Sequence, residues 1–225
     1  MIFLDRATAG RELATRLNYL RGQKIVVLGL PRGGVPVAFQ VAKELNAPLD
    51  VIIVRKLGVP SQPELAMGAV SEGGVLVTNP KIVRIAHLSK KEFSLVEDRE
   101  RREVAERAKR LRGERPALSL VGQIALIVDD GIATGSTAQA ACQVARALGA
   151  AKVLLAVPVG SVEAVEMLKD DADEVFSLQI PETFFAVGEW YQNFSATSDE
   201  EVIDLLERAR KLIPSKQNFI PISPS

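Results

Sequence analysis

Short apolar runs alternate with helical patterns along most of the chain, and this alternation restricts the fold more than any other feature. Each run is almost free of polar residues, which is typical of strands buried on both faces of a parallel sheet. Parallel strands joined through a helix form a right-handed crossover. The pattern therefore predicts an α/β fold with a doubly wound, mainly parallel sheet of about five strands. The predicted strands are residues 24–30, 49–57, 123–130, 152–160 and 174–180.

Apolar residues at three- and four-residue spacing predict the helices between these strands. The predicted helices are residues 8–21, 36–46, 89–112, 136–150, 161–171 and 199–213. The helix at 89–112 is strongly charged, and Ser89 and Glu92 have the spacing of an N-terminal capping box. Its mixed charges indicate a solvated face with paired Glu and Arg. Residues 64–79 predict a β-hairpin that turns around residues 71–74.

Composition and charge exclude several classes of protein. Lys+Arg and Asp+Glu number 28 each, so no net field attracts nucleic acid or an anionic membrane. The opening residues lack the basic-then-apolar order of a signal peptide, and no apolar run approaches the roughly 20 residues of a membrane span. Cys142 is the single cysteine and has the spacing of a small buried residue. We therefore expect a cytoplasmic protein with neither a membrane nor a nucleic-acid partner.

The run VDDGIATGST, residues 128–137, ends one predicted strand and opens the next predicted helix. Small residues let the backbone curl so that N–H groups point inward, and the helix adds the positive end of its dipole, which together make an anion site. The hydroxyls of Thr134, Ser136 and Thr137 add donors. The sequence lacks the Gly-Lys-Ser/Thr ending of a P-loop. By itself, the run fits an ordinary strand-to-helix turn with a Ser or Thr N-cap equally well.

Asp129 and Asp130 stand side by side at the start of this run. Neighbouring carboxylates at a strand end repel each other, so they need a compensating partner. Mg²⁺ and the hydroxyl groups of a sugar are both suitable partners. A phosphate cradle beside carboxylates that bind a diol describes a site for ribose 5-phosphate.

The longer run ALIVDDGIATGST resembles the signature of the type I phosphoribosyltransferases. The resemblance covers most of residues 24–195 and implies the fold of that family, with phosphoribosyl pyrophosphate (PRPP) and Mg²⁺ as its ligands. It implies that Asp129 and Asp130 hold the ribose hydroxyls and the metal, and that the loop holds the 5-phosphate. The loop residues implied in binding are Gly131, Ile132, Ala133, Thr134, Gly135, Ser136 and Thr137.

The run LPRGG follows the first predicted strand, where that family holds the pyrophosphate. Arg32 can fork onto phosphate oxygens, and Gly33 and Gly34 allow close approach of the backbone. Because the family often has a strained peptide before this basic residue, the Pro31–Arg32 peptide is expected to be cis. Lys56 ends another predicted strand and either reaches the pyrophosphate or extends into solvent.

The family also closes a mobile loop over its site, and residues 58–74 are the candidate for that loop. Their Gly, Pro and Ser residues permit motion, and closure would exclude water from a reactive sugar cation. Glu64 and Glu72 are weaker candidates for site residues in this segment.

Residues 180–195 resemble the hood that holds the nucleobase in the hypoxanthine-guanine enzymes of the family. The resemblance implies that Phe184 or Phe185 stacks on the base, with Val187 nearby. Trp190 and Tyr191 are alternative stacking residues. A hydrophobic lid packed on the core is the other interpretation of this segment, because aromatic side chains bury readily.

The implied activity is transfer of ribose 5-phosphate from PRPP to a nitrogenous base with release of pyrophosphate, as in nucleotide salvage, with Arg32, Asp129 and Asp130 as catalytic residues. The base is not identified. Ala133 replaces an acid of the hypoxanthine-guanine enzymes, and Val157 or Pro158 replaces the lysine that reads a 6-oxo group. The alternative function is a regulator that binds PRPP or a nucleotide without chemistry.

The sequence predicts one domain over residues 1–213, in which the hood and the helix at 89–112 are additions to the sheet. Residues 214–225 are rich in Pro and Ser and are expected to form a disordered tail. A homodimer is expected from the resemblance, since many members of the family pair.

Overall fold

A computed structural model of the chain describes residues 2–212, and the predicted tail at 214–225 lies outside them. The helices are α1 (Arg6–Arg16), α2 (Gly34–Leu45), α3 (Pro80–Ile85), α4 (Lys90–Arg112), α5 (Ser136–Ala147), α6 (Val162–Leu168) and α7 (Asp199–Leu212). The strands are β1 (Ile25–Gly29), β2 (Leu49–Val51), β3 (Val54–Val59), β4 (Gln62–Ser71), β5 (Leu76–Thr78), β6 (Ile124–Val128), β7 (Lys152–Val159) and β8 (Glu174–Gln179). Among the described residues, no helix combines the length and apolar character of a membrane span.

Five strands form one parallel sheet in the order β2-β1-β6-β7-β8, which confirms the predicted fold class. From β1 the chain crosses through α2 to β2 at one edge of the sheet. From β6 it crosses through α5 and α6 toward β8 at the opposite edge. The topology therefore reverses between β1 and β6, and open α/β sheets bind ligands beyond the carboxyl ends of the strands at such a point.

Helices cover both faces of this sheet. Val27 of β1 packs into a core with α1, α2 and α7, whereas its neighbours Val26 and Leu28 pack into a second core with α5 and α6. Successive side chains of a strand point to opposite faces. Burial on both faces explains why the central strands consist almost wholly of apolar residues.

The prediction of one continuous strand at 49–57 is wrong. Its first residues form β2 in the parallel sheet, but the chain from Val54 onward forms β3 in a separate antiparallel sheet with the order β3-β4-β5. Arg55 is exposed and Lys56 is half-buried, whereas Leu57 is buried. The partly exposed charged residues do not fit a strand buried on both faces of a parallel sheet.

Most of the segment predicted as a loop at 58–74 is strand, whereas its predicted closure over the site stays a prediction. β4 pairs with β3 in a ladder that runs from Val54↔Ser71 to Val59↔Gln62. Backbone hydrogen bonds along the ladder hold the segment in an antiparallel sheet. The hairpin predicted to turn around residues 71–74 is confirmed, since β4 pairs with β5 beyond that turn.

The charged helix predicted at 89–112 is confirmed as α4, together with its capping box. Glu92 N donates to Ser89 Oγ at 3.2 Å, and Ser89 N donates to Glu92 Oε2 at 2.9 Å. At the other end, the buried Arg112 donates from Nε to Asp50 Oδ1 at 2.9 Å and from Nη2 to Glu72 Oε1 at 2.8 Å. These contacts connect α4 to β2 and to the turn that follows β4.

Candidate functional site

The loops after β1 and β6 meet at the switch point of the sheet. A Cβ atom on Gly34 would lie 2.6 Å from Val128 O and 2.8 Å from Asp129 Cα, both of which are backbone atoms. A Cβ atom on Gly33 would overlap the carboxylate of Asp130. Only glycine permits this approach. The fold therefore brings together the two loops that the sequence predicted to form one site.

We expect Gly34→Ala to destabilise the protein, because the added methyl group meets backbone atoms that cannot rotate away. Overpacking of this kind costs about 1–3 kcal/mol. The free energy of unfolding in urea measures the effect. If the Gly34→Ala protein is as stable as the wild type, the two loops are not in the close contact described.

The Pro31–Arg32 peptide is cis, as the resemblance led us to expect. The Arg32 side chain is 49% exposed, and its Nη1 lies 3.9 Å from Oδ1 of Asp199, the first residue of α7. Oδ2 of Asp199 also pairs with Arg110 Nη1 at 3.2 Å. Asp199 is thus an internal counter-ion for Arg32, and a phosphate group bound by Arg32 would compete with it.

Asp129 and Asp130 make different contacts although they are adjacent. Asp129 Oδ1 accepts a hydrogen bond from the backbone N–H of Asp130 at 2.9 Å. Asp130 Oδ2 accepts one from Arg6 Nε at 2.7 Å, and its backbone carbonyl accepts one from the Tyr191 hydroxyl at 2.5 Å. The second acid is therefore fixed to the N-terminal helix and to the predicted hood.

The electrostatics of this pair are unfavourable without a ligand. Burial raises the pKa of Asp129 well above its usual range, and the charge of Asp130 raises it further. Burial also raises the pKa of Asp130, although Arg6 opposes that shift. Carboxyl groups with raised pKa values in a cleft are typical of functional sites, and a ligand that donates hydrogen bonds or carries a cation would stabilise their charged forms.

Arg6 is a site residue that sequence analysis missed. Its guanidinium lies 3.9 Å over the ring of Phe194 and donates from Nη1 to Ser195 O at 2.7 Å. Arg6 is the first residue of α1, where the positive end of the helix dipole disfavours a cation. A cation at this unfavourable position indicates that Arg6 interacts with a group outside its own helix, and this signal was available in the sequence.

The loop after β6 has the geometry of an anion cradle. The first helical hydrogen bond of α5 runs from Gln139 N to Gly135 O at 2.8 Å, so the N–H groups before Gln139 have no helical partner. Gly135 has φ +74°, which favours glycine. Ser161, the N-cap of α6, was also missed by sequence analysis; it donates from Oγ to Ala133 O at 2.7 Å and supports the loop. The hydroxyl oxygens of Thr134 and Ser136 lie 3.3 Å apart.

One residue of each predicted loop lines a pocket of about 620 Å³, which is within the usual range for ligand sites. Arg32, Asp129 and Asp130 are not among the residues that line it. Pro31 lines it from the first loop, Thr137 from the second, and Lys56 from β3. Arg107 of α4 also lines this pocket and was not predicted as a site residue. The pocket thus connects both loops to the antiparallel sheet and to the charged helix.

The predicted hood presents its aromatic residues unequally. Phe184 stacks on Trp190 with ring centroids 6.5 Å apart and an interplanar angle of 10°, whereas Phe185 is 79% exposed. Tyr191 is buried and packs on Phe3. A Cβ atom on Gly131 would lie 2.6 Å from Val187 Cγ1, which places Val187 beside the acidic loop.

The weaker candidates do not join the site in the described residues. Glu72 pairs with Arg112 instead, and the side chain of Glu64 lies outside the described part of the structure. Within residues 2–212, no group of three or more His, Cys, Asp or Glu side chains could hold a metal ion by itself. A divalent cation at Asp129 and Asp130 would therefore need further ligands from a bound substrate.

Comparison with known proteins identifies the class that this fold and site define. The sequence profile of the phosphoribosyl transferase domain matches residues 4–193, which is most of the chain. The chain therefore belongs to the phosphoribosyl transferase domain family. The match confirms the resemblance and extends it N-terminally to include α1, the helix that carries Arg6.

Two relatives share most of this chain. A protein of Mycobacterium tuberculosis named "Putative phosphoribosyl transferase" is 58% identical over 210 residues, which are 93% of this chain and 47% of that protein. The chain thus spans about half the length of this relative. The crystal structure of the protein TT1426 from Thermus thermophilus superimposes with a TM-score of 0.87 at 45% identity and covers 92% of this chain and 99% of that one.

Proposed function

We propose that the protein transfers the ribose 5-phosphate group of PRPP to a nitrogenous base and releases pyrophosphate. The observation that carries this proposal is the meeting of two glycine-containing loops at the switch point, with an acid pair between them. Membership of the phosphoribosyl transferase domain family supports it. The acceptor base stays unnamed, because no residue in the hood identifies it.

In this proposal each loop binds one part of PRPP. Asp129 and Asp130 accept hydrogen bonds from the ribose hydroxyls, and the N–H groups of residues 133–137 bind the 5-phosphate. The N–H of Ile132 does not take part, because it donates to Val159 O at 3.0 Å. Arg32 and the backbone N–H of Gly33 bind the pyrophosphate, and Lys56 adds a charge from the pocket wall. The N–H of Gly34 donates to Leu30 O at 3.0 Å, so Gly34 contributes close approach of the backbone and not a donor. Oδ2 of Asp130 already pairs with Arg6, so its other carboxylate oxygen is the one that accepts a ribose hydroxyl.

Magnesium fits this site only as part of the substrate complex. Mg²⁺ in phosphate-transferring enzymes is held by one or two carboxylates together with substrate phosphates. Asp129 and Asp130 supply those carboxylates, and PRPP supplies the remaining ligands. When bound, the metal would neutralise charge on the departing pyrophosphate.

The residues of the site act by positioning and by electrostatic stabilisation. A nitrogen atom of the base attacks the anomeric carbon while the bond from that carbon to pyrophosphate breaks, and the proton of the base passes to solvent. Arg32 and the N–H of Gly33 stabilise the negative charge on the leaving group. Fixing the sugar at both ends aligns the reacting atoms, and such alignment lowers the barrier by several kcal/mol, up to about 7–11 kcal/mol.

Phe185 is the proposed stacking residue for the base. Its ring is 79% exposed, whereas Phe184 is already stacked on Trp190. Val187 would contact the same base from beside Gly131. Because aromatic stacking recognises any flat base, Phe185 provides affinity without selecting among purines and pyrimidines.

Calorimetry with PRPP and MgCl₂, followed by assays of pyrophosphate release with each free purine and pyrimidine, tests the proposal. We expect PRPP binding and release with at least one base. PRPP binding without release for any base would identify the protein as a PRPP-sensing regulator. Failure to bind PRPP would contradict the proposed function altogether.

We expect PRPP binding to strengthen as the pH rises through the raised pKa of Asp129, because the ribose hydroxyls need ionised acceptors. The pKa lies above the ordinary value of 3.8, so this change occurs at higher pH than for an exposed aspartate. Stability of the free protein changes in the opposite direction. Because the pKa of Asp129 is higher in the native state than in the unfolded state, the native state binds the proton more strongly. The free energy of unfolding therefore falls as the pH rises through that raised pKa.

Titration of PRPP into wild-type and Asp129→Asn proteins at a series of pH values measures this effect. Ionisation of the PRPP phosphates affects both proteins equally, so the difference between them isolates Asp129. A difference that does not change with pH would contradict the assignment.

A further inference from the structure

The pocket beside the first loop has an excess of basic side chains. Its lining includes four of them and one carboxylate: Arg55, Lys56, Arg99, Arg107 and Glu100. Glu100 is buried and pairs with Arg55 at 3.1 Å and with Arg99 at 2.8 Å. One carboxylate of the lining thus serves two arginines, and the residues that line the pocket carry a net positive charge. Glu103, which lies outside the lining, offsets part of that charge through Arg55 at 3.7 Å.

Arg107 contributes to that charge without a carboxylate partner. Its Nη2 donates to the backbone carbonyl of Pro31 at 3.1 Å, inside the loop with the cis peptide. Among residues 2–212, the guanidinium forms no ion pair, and its Nε and Nη1 make no hydrogen bond. A guanidinium carries five N–H donors, so most of its hydrogen-bonding capacity is unused.

The surroundings of Arg107 are unfavourable for a cation in the absence of an anion. Burial lowers the pKa of Arg107, and the charges of Arg32, Arg55 and Arg110 add to this effect against the opposing charge of Asp199. Arginine stays protonated even so. Several cations held near one another and partly removed from water form a site where an anion would be stabilised.

We propose that Arg107 is a further substrate-binding residue, which holds the pyrophosphate group of PRPP against the loop at residues 31–34. This inference rests on the proposed function and adds to it a residue from α4, outside the two loops. Arg107 would bind the pyrophosphate with its unused donors while its contact with Pro31 O fixes it to the loop.

The position of Arg107 on a helix gives the site a cation for the leaving group that does not depend on closure of residues 58–74. The segment predicted to close over the site is paired in the β3–β4 ladder. Helix α4 lies against that antiparallel sheet and is anchored at its end by Arg112. A cation on such a helix is already in place when the substrate arrives, so little reorganisation is needed.

Calorimetric titration with two separate ligands tests this inference, namely pyrophosphate with MgCl₂ and ribose 5-phosphate. The first variant, Arg107→Gln, keeps an N–H donor but removes the charge. The second, Arg107→Lys, keeps the charge but removes the bidentate geometry of the guanidinium. Arg102→Gln is the matched control, since Arg102 is exposed on the same helix. Thermal unfolding of each variant verifies that it folds.

We expect Arg107→Gln to weaken pyrophosphate binding by about 10- to 100-fold, as is usual for a charge-assisted hydrogen bond to phosphate. Ribose 5-phosphate binding should stay within about twofold, because that ligand occupies the other loop. Arg107→Lys should recover part of the loss, and Arg102→Gln should match the wild type.

Three results would overturn the inference. Unchanged pyrophosphate binding in Arg107→Gln would show that the charge is not used. Equal losses for both ligands would show that Arg107 only supports the fold of the site. A wild-type protein that binds neither pyrophosphate nor PRPP would contradict the proposed function as well, whereas the first two results leave that function intact.

Discussion

Replacing Asp129 and Asp130 together by asparagine should reduce PRPP-dependent release of pyrophosphate by about 10²- to 10⁴-fold. Each charge-assisted hydrogen bond contributes about 1.5–3 kcal/mol, and each 1.4 kcal/mol corresponds to a factor of ten. Asparagine keeps the size of the side chain, and its oxygen can still accept the hydrogen bond from residue 130 N. The loss of pyrophosphate release would therefore result from removal of the negative charges and not from a change in the shape of the loop.

The single substitution Asp129→Asn should stabilise the free protein while it weakens PRPP binding. Asp129 is partly buried beside a second carboxylate, and its pKa is raised by that burial. Removing its charge should increase the free energy of unfolding by about 0.5–2 kcal/mol, because residues of a functional site often destabilise the free protein. For a chain of this size, each kcal/mol raises Tm by about 2–4 °C. Asp130 should show less of this gain, because it pairs with Arg6.

The control for the double variant is Asp204→Asn combined with Glu207→Gln. Both side chains lie on α7 and are exposed, so this control removes the same charge without touching the loops. Pyrophosphate release by the control should stay near that of the wild type. If the Asp129 and Asp130 double variant retains full activity, the ribose does not bind at this edge of the sheet.

The parallel sheet and both loops were predictable because their signals are local. Apolar runs followed by glycine, hydroxyl and acidic residues define a strand end and a binding loop within about ten positions. The cis peptide at Pro31–Arg32 was expected from the family resemblance alone. The break between β2 and β3 was not predicted, although the polar pair Arg55 and Lys56 inside an apolar run indicated it.

The remaining site residues act through contacts that no local pattern encodes. Arg6 lies 124 positions from Asp130, and Arg107 lies 76 positions from Pro31 O, the atom it contacts. Helix α4 contains many acidic and basic residues, and nothing in its sequence distinguishes Arg107 from Arg110. Only the packing of α4 against the antiparallel sheet directs Arg107 to the pocket and leaves Arg110 exposed with Asp199.

Arg112→Ala should lower the free energy of unfolding by about 3–5 kcal/mol, because it leaves a buried carboxylate without its partner. Asp50 and Arg112 have side chains that are each 2% exposed. The guanidinium also donates to Val51 O at 3.0 Å, while Oδ2 of Asp50 accepts a hydrogen bond from Leu118 N at 2.9 Å. Removing the cation leaves a charge that water cannot reach.

The double variant Arg112→Met with Asp50→Asn separates burial of charge from loss of packing. It removes the charges of Asp50 and Arg112 and leaves only Glu72, whose side chain is 16% exposed, without its partner. It should therefore be more stable than Arg112→Ala, which leaves both carboxylates unpaired. Arg110→Ala, at an exposed position on the same helix, should change stability by less than about 0.5 kcal/mol. Urea unfolding of the three variants distinguishes these effects. If Arg112→Ala costs no more than Arg110→Ala, then α4 is not anchored at Asp50, and the helix cannot hold Arg107 in a fixed position beside the pyrophosphate loop.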